Sequence, residues 1–401
     1  MEQGRRARIP IDQLAFGTGL AVGTAVLVAF GLADLWRTSL GQSDFAGFWA
    51  GPRAVLDGVN PYDAARFSDV VQKYGTQDTE PVYGYPPWDL VLLLPFALLP
   101  VRAAAAVWTG LGLAVAIYGL GTLLRREVPG IPTVHFLAGL ALFASQPAVI
   151  TLYSGQWGFF LTGMLALSLR WQRDGQSTRA GLAAVAMVTK PQLFVFAAWA
   201  MAGTALVRRQ WAFVVAAGIG GSALVGLPWL AFPDWLSGFL KYIAPSRASD
   251  PPRSVTVATP LVELFGPGGL WLTLPIIAVV LILALQFQPS SDTWPAVWLA
   301  ASVALTTYSW SYDHIVLVVP LVLAMGAAKA RRHALTIGLL GFSALLVEAI
   351  LLYQLTAVRG SQSLNVVVPL TIFAVVAAGL WSQRTTGTAD KVESVESSVN
   401  G

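Results

Sequence analysis

Long apolar stretches separated by short polar segments make up most of the chain. The first of them lies between Asp12 and Asp34 and contains no charged residue. Its length matches the roughly 20 residues that a helix needs to cross a bilayer core about 30 Å thick. Because backbone N–H and C=O groups find no water inside lipid, such stretches must be helical. The pattern therefore predicts an all-α integral membrane protein that crosses the bilayer many times.

The later apolar stretches continue this pattern almost to the carboxyl end. They cover residues 103–124, 133–150, 156–171, 180–207, 211–231, 268–287, 294–308, 315–328, 334–357 and 364–381. The polar segment 383–401, rich in Ser and Thr, is predicted to be a disordered tail. The sequence thus predicts one polytopic membrane domain, residues 1–382, followed by this tail.

Composition supports the same fold class. Of the 401 residues, 55% are hydrophobic and 11% are charged, whereas roughly a quarter are charged in a typical soluble domain. The net charge of +4 is better explained by Lys and Arg held at the cytoplasmic surface than by nucleic-acid binding. The sequence has no cysteine and only three histidines, which excludes disulfides and disfavours a histidine-rich metal site.

The positions of Lys and Arg predict the orientation in the membrane. Three arginines within the first ten residues place the amino terminus in the cytoplasm, ahead of an uncleaved first span. Basic groups at 125–126, 170–179, 208–209 and 329–332 also lie inside if two conditions hold. Residues 85–100 must follow the outer interface, and residues 180–207 must be two half-spans broken at Lys190-Pro191. The alternative makes 85–100 a true span and 180–207 a single helix.

The preferred orientation gives about 12 crossings, with both termini in the cytoplasm and two large outer loops, residues 37–101 and 232–267. We expect the protein in the plasma membrane. Five polar residues then share the outer side: Asp44, Gln156, Lys190, Asp313 and His314. Polar groups at membrane depth are costly and often functional. Structural alternatives remain open, since Asp44 could cap a helix, Lys190 could snorkel and His314 could be a packed side chain.

These residue types suit transfer of a sugar from a lipid phosphate to an alcohol. Such a reaction needs a base for the proton of the acceptor and cationic or hydrogen-bonding groups for the departing phosphate. Asp44 is the candidate base, and Lys190 the candidate phosphate ligand. Further candidates for the phosphate are His314, Arg247 and Arg253. No D-x-D pair, Walker loop, G-x-S-x-G or H-E-x-x-H motif occurs in the sequence, and this disfavours nucleotide-sugar and metalloprotease chemistry.

A series of motifs resembles a known family. The motifs are "SDFAGFWAGPRAVLDGVNPYD", "YGYPPWDLVLLLPFALLP", "SGQWGFFLTGMLALSL", "MVTKPQLFVF" and "YSWSYDHIVLVVP". Together they resemble the bacterial integral-membrane mannosyltransferases of glycosyltransferase family 87, which belong to the GT-C superfamily and use polyprenyl phosphate mannose. The resemblance covers roughly residues 44–320.

The resemblance implies a GT-C-type helical bundle whose first outer loop carries juxtamembrane helices. It also implies that Asp44 is the general base, and that Gln156, Lys190 and His314 occupy functional positions. We include further residues as candidates for substrate binding: Asp313, Arg53, Trp49, Tyr62 and Trp157. Trp49 and Tyr62 could instead shape the loop, and Asp57 and Asp63 are alternative acids.

The expected protein is an inverting, metal-independent glycosyltransferase of the cell envelope, with the active site facing outside. Its donor would be a polyprenyl phosphate sugar, most simply mannose, and its acceptor a hydroxyl of a glycolipid or glycan. It needs no cofactor. The second outer loop is short and no soluble carboxy-terminal domain follows, so the acceptor could differ from the phosphoinositides of the typical enzymes, and arabinofuranose is an alternative sugar. The rival hypothesis is a transporter or flippase of lipid-linked sugars or amphiphiles.

Overall fold

The architecture is taken from a computed structural model that describes residues 10–33, 44–75, 82–249, 254–287, 293–328, 330–348 and 363–381. Every regular element in these ranges is helical. The first nine helices are α1 (Ile11–Ala33), α2 (Asp44–Leu56), α3 (Ala64–Tyr74), α4 (Asp89–Leu93), α5 (Val101–Glu127), α6 (Pro132–Ala144), α7 (Gln146–Ser154), α8 (Gly158–Arg173) and α9 (Ser177–Ala184).

The remaining ten helices in the described ranges are also α-helical for most of their length. They are α10 (Pro191–Val207), α11 (Trp211–Gly226), α12 (Pro228–Ala231), α13 (Trp235–Ser249), α14 (Ala258–Phe265), α15 (Gly269–Leu285), α16 (Trp294–Ala304), α17 (Val318–Ala327), α18 (Arg331–Ser343) and α19 (Ser363–Trp381). Two 3₁₀ segments matter for the site, Val185–Thr189 and Ser311–Leu317.

Several helices are long and apolar enough to cross a bilayer. By length and composition, four described segments qualify, namely Val101–Glu127, Trp211–Ala231, Ala258–Leu285 and Ser363–Trp381, and the bent pair α6 and α7 is a fifth candidate. These segments and the apolar composition establish a helical membrane protein. The expected count of 12 crossings and the orientation stay predictions.

The apolar stretch predicted at residues 133–150 is helical, but the sequence analysis did not predict the break within it. It is divided at Ser145 into α6 and α7, which meet at 42°. Ser145 is extended, its Oγ accepts a hydrogen bond from the N–H of Ala148 (3.4 Å), and Pro147 stands in the first turn of α7. A serine cap followed by proline starts a new helix, and this local signal interrupts the apolar run.

The break expected at Lys190-Pro191 is confirmed. Helix α9 passes into the 3₁₀ segment Val185–Thr189, Lys190 leaves the helical region with φ −129° and ψ 66°, and Pro191 opens α10. Residues 85–100 contain only α4 and the short 3₁₀ helix Phe96–Leu98. They are therefore not a spanning helix, which favours the first of the two topologies.

The first expected outer loop, residues 37–101, contains α2 and α3, and the second, residues 232–267, contains α13 and α14. The tail 383–401 and the arginines of the first ten residues lie outside the described residues. Helices therefore occupy much of both segments that the hydropathy pattern treats as loops.

Two close helix pairs build the amino-terminal half of the bundle. Gly19 and Gly23 of α1 pack on α6, whereas a Cβ added at Gly17 would meet no atom within 4 Å. Helix α5 runs parallel to α8, with Trp108 near Gly155 at one end and Arg126 near Asp174 at the other. Small residues at such contacts let helix backbones approach closely. The parallel pair α5 and α8 thus has one end at the candidate site and the other at an arginine cluster.

Candidate functional site

Four separate parts of the chain meet in one polar cluster. Asp44 begins α2, Gln156 follows α7, Lys190 lies between the 3₁₀ segment and α10, and Asp313 lies in the 3₁₀ segment Ser311–Leu317. The amide nitrogen of Gln156 donates a hydrogen bond to Asp44 Oδ2 (2.6 Å). The Lys190 ammonium donates to Gln156 Oε1 (3.4 Å) and to Asp313 Oδ1 (2.6 Å). These contacts form one chain, Asp44–Gln156–Lys190–Asp313.

The contact between Asp44 and Gln156 depends on the turn at Gly155. This glycine has φ 67°, and a Cβ built on it would lie 2.7 Å from the Cβ of Phe45. A residue with a side chain would therefore be strained in its backbone and would push against the start of α2. Trp108 fixes the same turn, since its indole N–H donates to the Gly155 carbonyl (2.8 Å). The turn places Gln156 beside Asp44.

The ion pair of Lys190 and Asp313 is buried. Their side chains are 10% and 5% exposed. Asp313 Oδ2 also accepts the backbone N–H of Trp310 (3.0 Å), so both carboxylate oxygens have a donor. Asp44, by contrast, is exposed. The cluster is accordingly closed around Lys190 and open at Asp44.

The 3₁₀ segment that carries Lys190 is held by the tryptophan ahead of α4. The indole N–H of Trp88 donates to the carbonyl of Val188 (2.7 Å). The Lys190 ammonium also lies 4.7 Å from the ring centre of Tyr312, close enough for a cation–π interaction. Lys190 is thus fixed by contacts from three directions rather than extended towards an interface.

The sequence analysis missed several polar neighbours. The Tyr312 hydroxyl accepts a hydrogen bond from the Gln156 amide (3.2 Å), and Gln146 donates to Ser311 Oγ (2.7 Å). Tyr312 and Ser311 belong to the quoted motif "YSWSYDHIVLVVP", and Gln146 is the one amide in the apolar run 133–150. That last signal, a buried amide at membrane depth, could have identified Gln146.

The buried ionisable side chains of His314 and Asp89 have unmatched polar atoms. Both ring nitrogens of His314 and both carboxyl oxygens of Asp89 are buried without a hydrogen-bond partner among the described residues. Asp89 was not considered in the sequence analysis, although "PPWDL" places an acid inside an apolar run. Among the described residues, no three His, Asp or Glu side chains are grouped closely enough to hold a metal ion.

Arg53 lies in a different cluster. Its guanidinium pairs with Asp57 (3.1 Å) and stacks on Tyr74, 4.7 Å from the ring centre, and Lys73 donates to Asp57 (2.9 Å). This hydrogen bond from Lys73 is the main cause of a lowered pKa for Asp57, with further contributions from Tyr74 and Arg53. Asp57 is therefore a poor candidate for a base, since its charge is already matched by fixed partners.

The other candidate residues of segment 37–101 have structural contacts. The Trp49 indole donates to the carbonyl of Leu99 (2.9 Å), and the Tyr62 hydroxyl donates to the carbonyl of Tyr85 (2.6 Å). Asp63 caps α3 by accepting the N–H of Arg66 (3.3 Å). Trp157 is fully buried and packs edge-on against Trp108. These side chains join α2, α3 and the segment before α5 into one unit next to the cluster.

Segment 232–267 also contacts the motif that carries Asp313. Val255 and Ser309 are paired through their backbones, with the N–H of Val255 donating to the Ser309 carbonyl (2.7 Å), and Ser309 Oγ donates to the Val255 carbonyl (2.6 Å). This fixes the start of the motif that carries Asp313 and His314. Arg253 and the side chain of Arg247 lie outside the described residues.

Comparison with known proteins agrees with these motifs. A family model for glycosyltransferase family 87 matches residues 83–320, which is more than half of the chain and includes Gln156, Lys190, Asp313 and His314. No curated protein and no solved structure gives a significant match. The extent of the family match shows that this chain belongs to glycosyltransferase family 87.

Proposed function

We propose that the protein transfers a sugar, most simply mannose, from a polyprenyl phosphate to a hydroxyl of a lipid or glycan acceptor on the extracytoplasmic side of the plasma membrane. Membership of the family supports glycosyl transfer. The assignment of a base and a phosphate ligand is supported by the chain of contacts Asp44–Gln156–Lys190–Asp313, which joins an exposed carboxylate to a buried cation.

Asp44 is the proposed general base. It is exposed at the edge of the cluster, so an acceptor hydroxyl can approach it, and the Gln156 amide orients one of its oxygens (2.6 Å). A base must lie within hydrogen-bonding reach of the proton that it removes. Asp57 and Asp63 are less suitable, because one is paired with two cations and the other caps a helix.

Lys190 is the proposed ligand of the donor phosphate. Its ammonium has three N–H donors, and the contacts with Asp313 and Gln156 account for two of them. The remaining donor and the positive charge suit a phosphate oxygen whose negative charge grows as the bond to the sugar breaks. His314, next in the chain to Asp313, is a second candidate for this phosphate. We propose that the reaction uses no metal ion or cofactor.

The proposed step is a single displacement at the anomeric carbon. The acceptor oxygen forms a bond to this carbon as its proton passes to Asp44, and the bond from the carbon to the phosphate oxygen breaks. Polyprenyl phosphate leaves with the electron pair, next to Lys190. One displacement inverts the configuration, so a β-linked donor gives an α-linked product.

The test is transfer of labelled mannose from polyprenyl phosphate mannose in membranes that contain the protein. Asp44→Asn should lower the rate about 100- to 10,000-fold, the range expected for loss of a general base, and chelation of divalent metals should not change the wild-type rate. Asp63→Asn is the matched control, because asparagine caps a helix as well as aspartate does. Near-normal transfer by a folded Asp44→Asn protein would remove Asp44 from the role of base.

A further inference from the structure

Asp89, the first residue of α4, is an acid that is buried without a hydrogen-bond partner in the described part of the chain. Its side chain is 1% exposed, and neither of its oxygens has a hydrogen-bond partner among the described residues. By contrast, Lys190 and Asp313 in the same site form a direct ion pair. An unmatched buried carboxyl costs folding free energy. A residue of this kind calls for a functional explanation.

The surroundings place Asp89 at the same site. Trp88, its neighbour in the chain, is bonded to Val188 in the 3₁₀ segment that leads to Lys190. Burial raises the pKa of Asp89 well above its usual range, and the positive charge of Lys190 opposes this rise. The charge of Asp89 in turn adds to the effect of burial in raising the pKa of Tyr62. Asp89 therefore lies within electrostatic range of Lys190 but is not paired with it.

The chemistry of a carboxyl group suggests what Asp89 binds. A phosphate is a poor partner, because its negative charge would disfavour the ionised carboxylate further, whereas hydrogen-bond donors would favour it. Sugar hydroxyls are suitable partners, since each can donate to a carboxylate oxygen. The two oxygens of one carboxylate are also spaced to accept from two hydroxyls on neighbouring ring carbons. A bound sugar would thus supply the partners that the protein itself does not.

We propose that Asp89 binds the transferred sugar by accepting hydrogen bonds from two neighbouring ring hydroxyls, while Lys190 holds the donor phosphate. This inference rests on the proposed function. It makes Asp89 a specificity-determining residue for the donor sugar, because a site built to bind a hydroxyl rejects an analogue that lacks it. Removing either the Asp89 carboxylate or a sugar hydroxyl that it binds should lower kcat/KM about 10- to 100-fold, the range for a hydrogen bond to a charged group.

The experiment combines a change in the protein with a change in the donor. Wild-type protein and Asp89→Leu, both full-length and in membranes, are assayed with polyprenyl phosphate mannose and with a set of deoxy donors that each lack one ring hydroxyl. We expect wild type to lose about 10- to 100-fold with the donors that lack a hydroxyl bound by Asp89. Asp89→Leu should lose a similar factor with the complete donor, and should show little further loss with those deoxy donors.

A stability measurement separates this role from a structural one. Leucine has the same branching as aspartate, although its methyl groups are bulkier than the oxygens, and it removes the unmatched oxygens, so Asp89→Leu should melt near the wild-type temperature. If the leucine variant does not fold, Asp89→Asn replaces it, because asparagine keeps the shape of aspartate. Its transfer rates with the complete and the deoxy donors are then compared with those of wild type in the same way.

The outcomes are distinct. Equal transfer by wild type and the variant, or losses from the variant and the deoxy donor that simply multiply, would overturn the role of Asp89 and leave the proposed function intact. A wild-type protein that uses neither polyprenyl phosphate mannose nor the arabinofuranose donor would overturn the proposed function, and this inference with it.

Discussion

The two ends of the parallel helices α5 and α8 carry very different charged clusters. At the amino-terminal end, Trp108 and Gly155 support a cluster of mixed polar groups in which Asp89 and His314 have unmatched atoms among the described residues. At the carboxy-terminal end, Arg126 and Arg170 share Asp174, and Arg173 pairs with Glu127. Cations there also complement the helix dipoles. At the carboxy-terminal end both acids of the cluster are paired with arginines, although Glu127 Oε1 has no hydrogen bond, whereas at the amino-terminal end no side-chain polar atom of Asp89 or His314 has a hydrogen-bond partner among the described residues.

This difference indicates what each end contributes. Matched charges at helix ends hold a helix pair in register, and the arginines among them are the ones from which the sequence analysis predicts a cytoplasmic side. Unmatched buried polar groups weaken a fold and are retained where they serve binding or catalysis. We therefore expect changes at the amino-terminal end to affect transfer, and changes at the carboxy-terminal end to affect stability.

Lys190→Met should have the largest effect. The variant loses the proposed phosphate ligand, which should lower transfer about 100- to 1,000-fold. It also leaves the Asp313 carboxylate buried without its cation, which should cost about 3–5 kcal/mol of stability. Transfer assays and thermal unfolding in detergent measure the two effects.

A second variant separates these two effects. Lys190→Met combined with Asp313→Asn removes both charges but keeps an oxygen for the N–H of Trp310. Its stability should recover while its transfer stays low. Recovery of transfer together with stability would mean that Lys190 acts only as a counter-charge, and the contrast between the two ends would fail.

Gly155→Ala should have an intermediate effect. The new methyl group would meet Phe45 at 2.7 Å and move Asp44 relative to Gln156. We expect roughly a tenfold loss of transfer, since small displacements of a catalytic group are costly. Gly175, just past the other end of α8, provides the control because it also has a positive φ (75°), but a Cβ added there would have no neighbouring atom within 4 Å.

The control should share the backbone strain of about 1–2 kcal/mol without the loss of transfer. Comparing kcat/KM of Gly155→Ala and Gly175→Ala at matched amounts of folded protein isolates the steric displacement. Equal kcat/KM values would show that the Gly155 turn does not position Asp44.

Arg173→Met should have the smallest effect on chemistry. It removes the partner of the buried Glu127 carboxylate, although Arg126 still lies 3.3 Å from that carboxylate. We expect a stability loss of about 1–3 kcal/mol and unchanged transfer per folded molecule. Thermal unfolding and kcat measured on the same preparation test this. A fall in kcat comparable to that of Lys190→Met would show that the two ends are not separate in function.

The sequence predicted the parts of the fold that depend on local patterns. Apolar runs identified the helices, and proline after Lys190 identified the break there, because proline acts on its immediate neighbours. The polar residues Asp44, Gln156 and Asp313 were singled out by the cost of polar groups in lipid. Each of these inferences needs only the composition of a short window.

Tertiary pairings could not be predicted in this way. Hydropathy gives no information on which distant residues meet, so the pairing of Lys190 with Asp313 and the hydrogen bond from Gln156 to Tyr312 came only from the structure. The division at Ser145 was missed because one cap in a long apolar run changes its hydropathy little. Asp89 was missed because it stands in a segment read as an interface, where an acid costs little.

The long sequence separations within the site have a consequence for synthesis. The bond from Gln156 to Asp44 spans 112 residues, and the one from Lys190 to Asp313 spans 123. A growing chain therefore inserts α5, α8 and α10 with Lys190 still lacking its carboxylate partner. Because contacts between distant residues form late in folding, the charges at the site become balanced only after the segment with Asp313 has been made. Until then the nascent protein depends on water, lipid headgroups or the insertion machinery to accommodate an unpaired lysine.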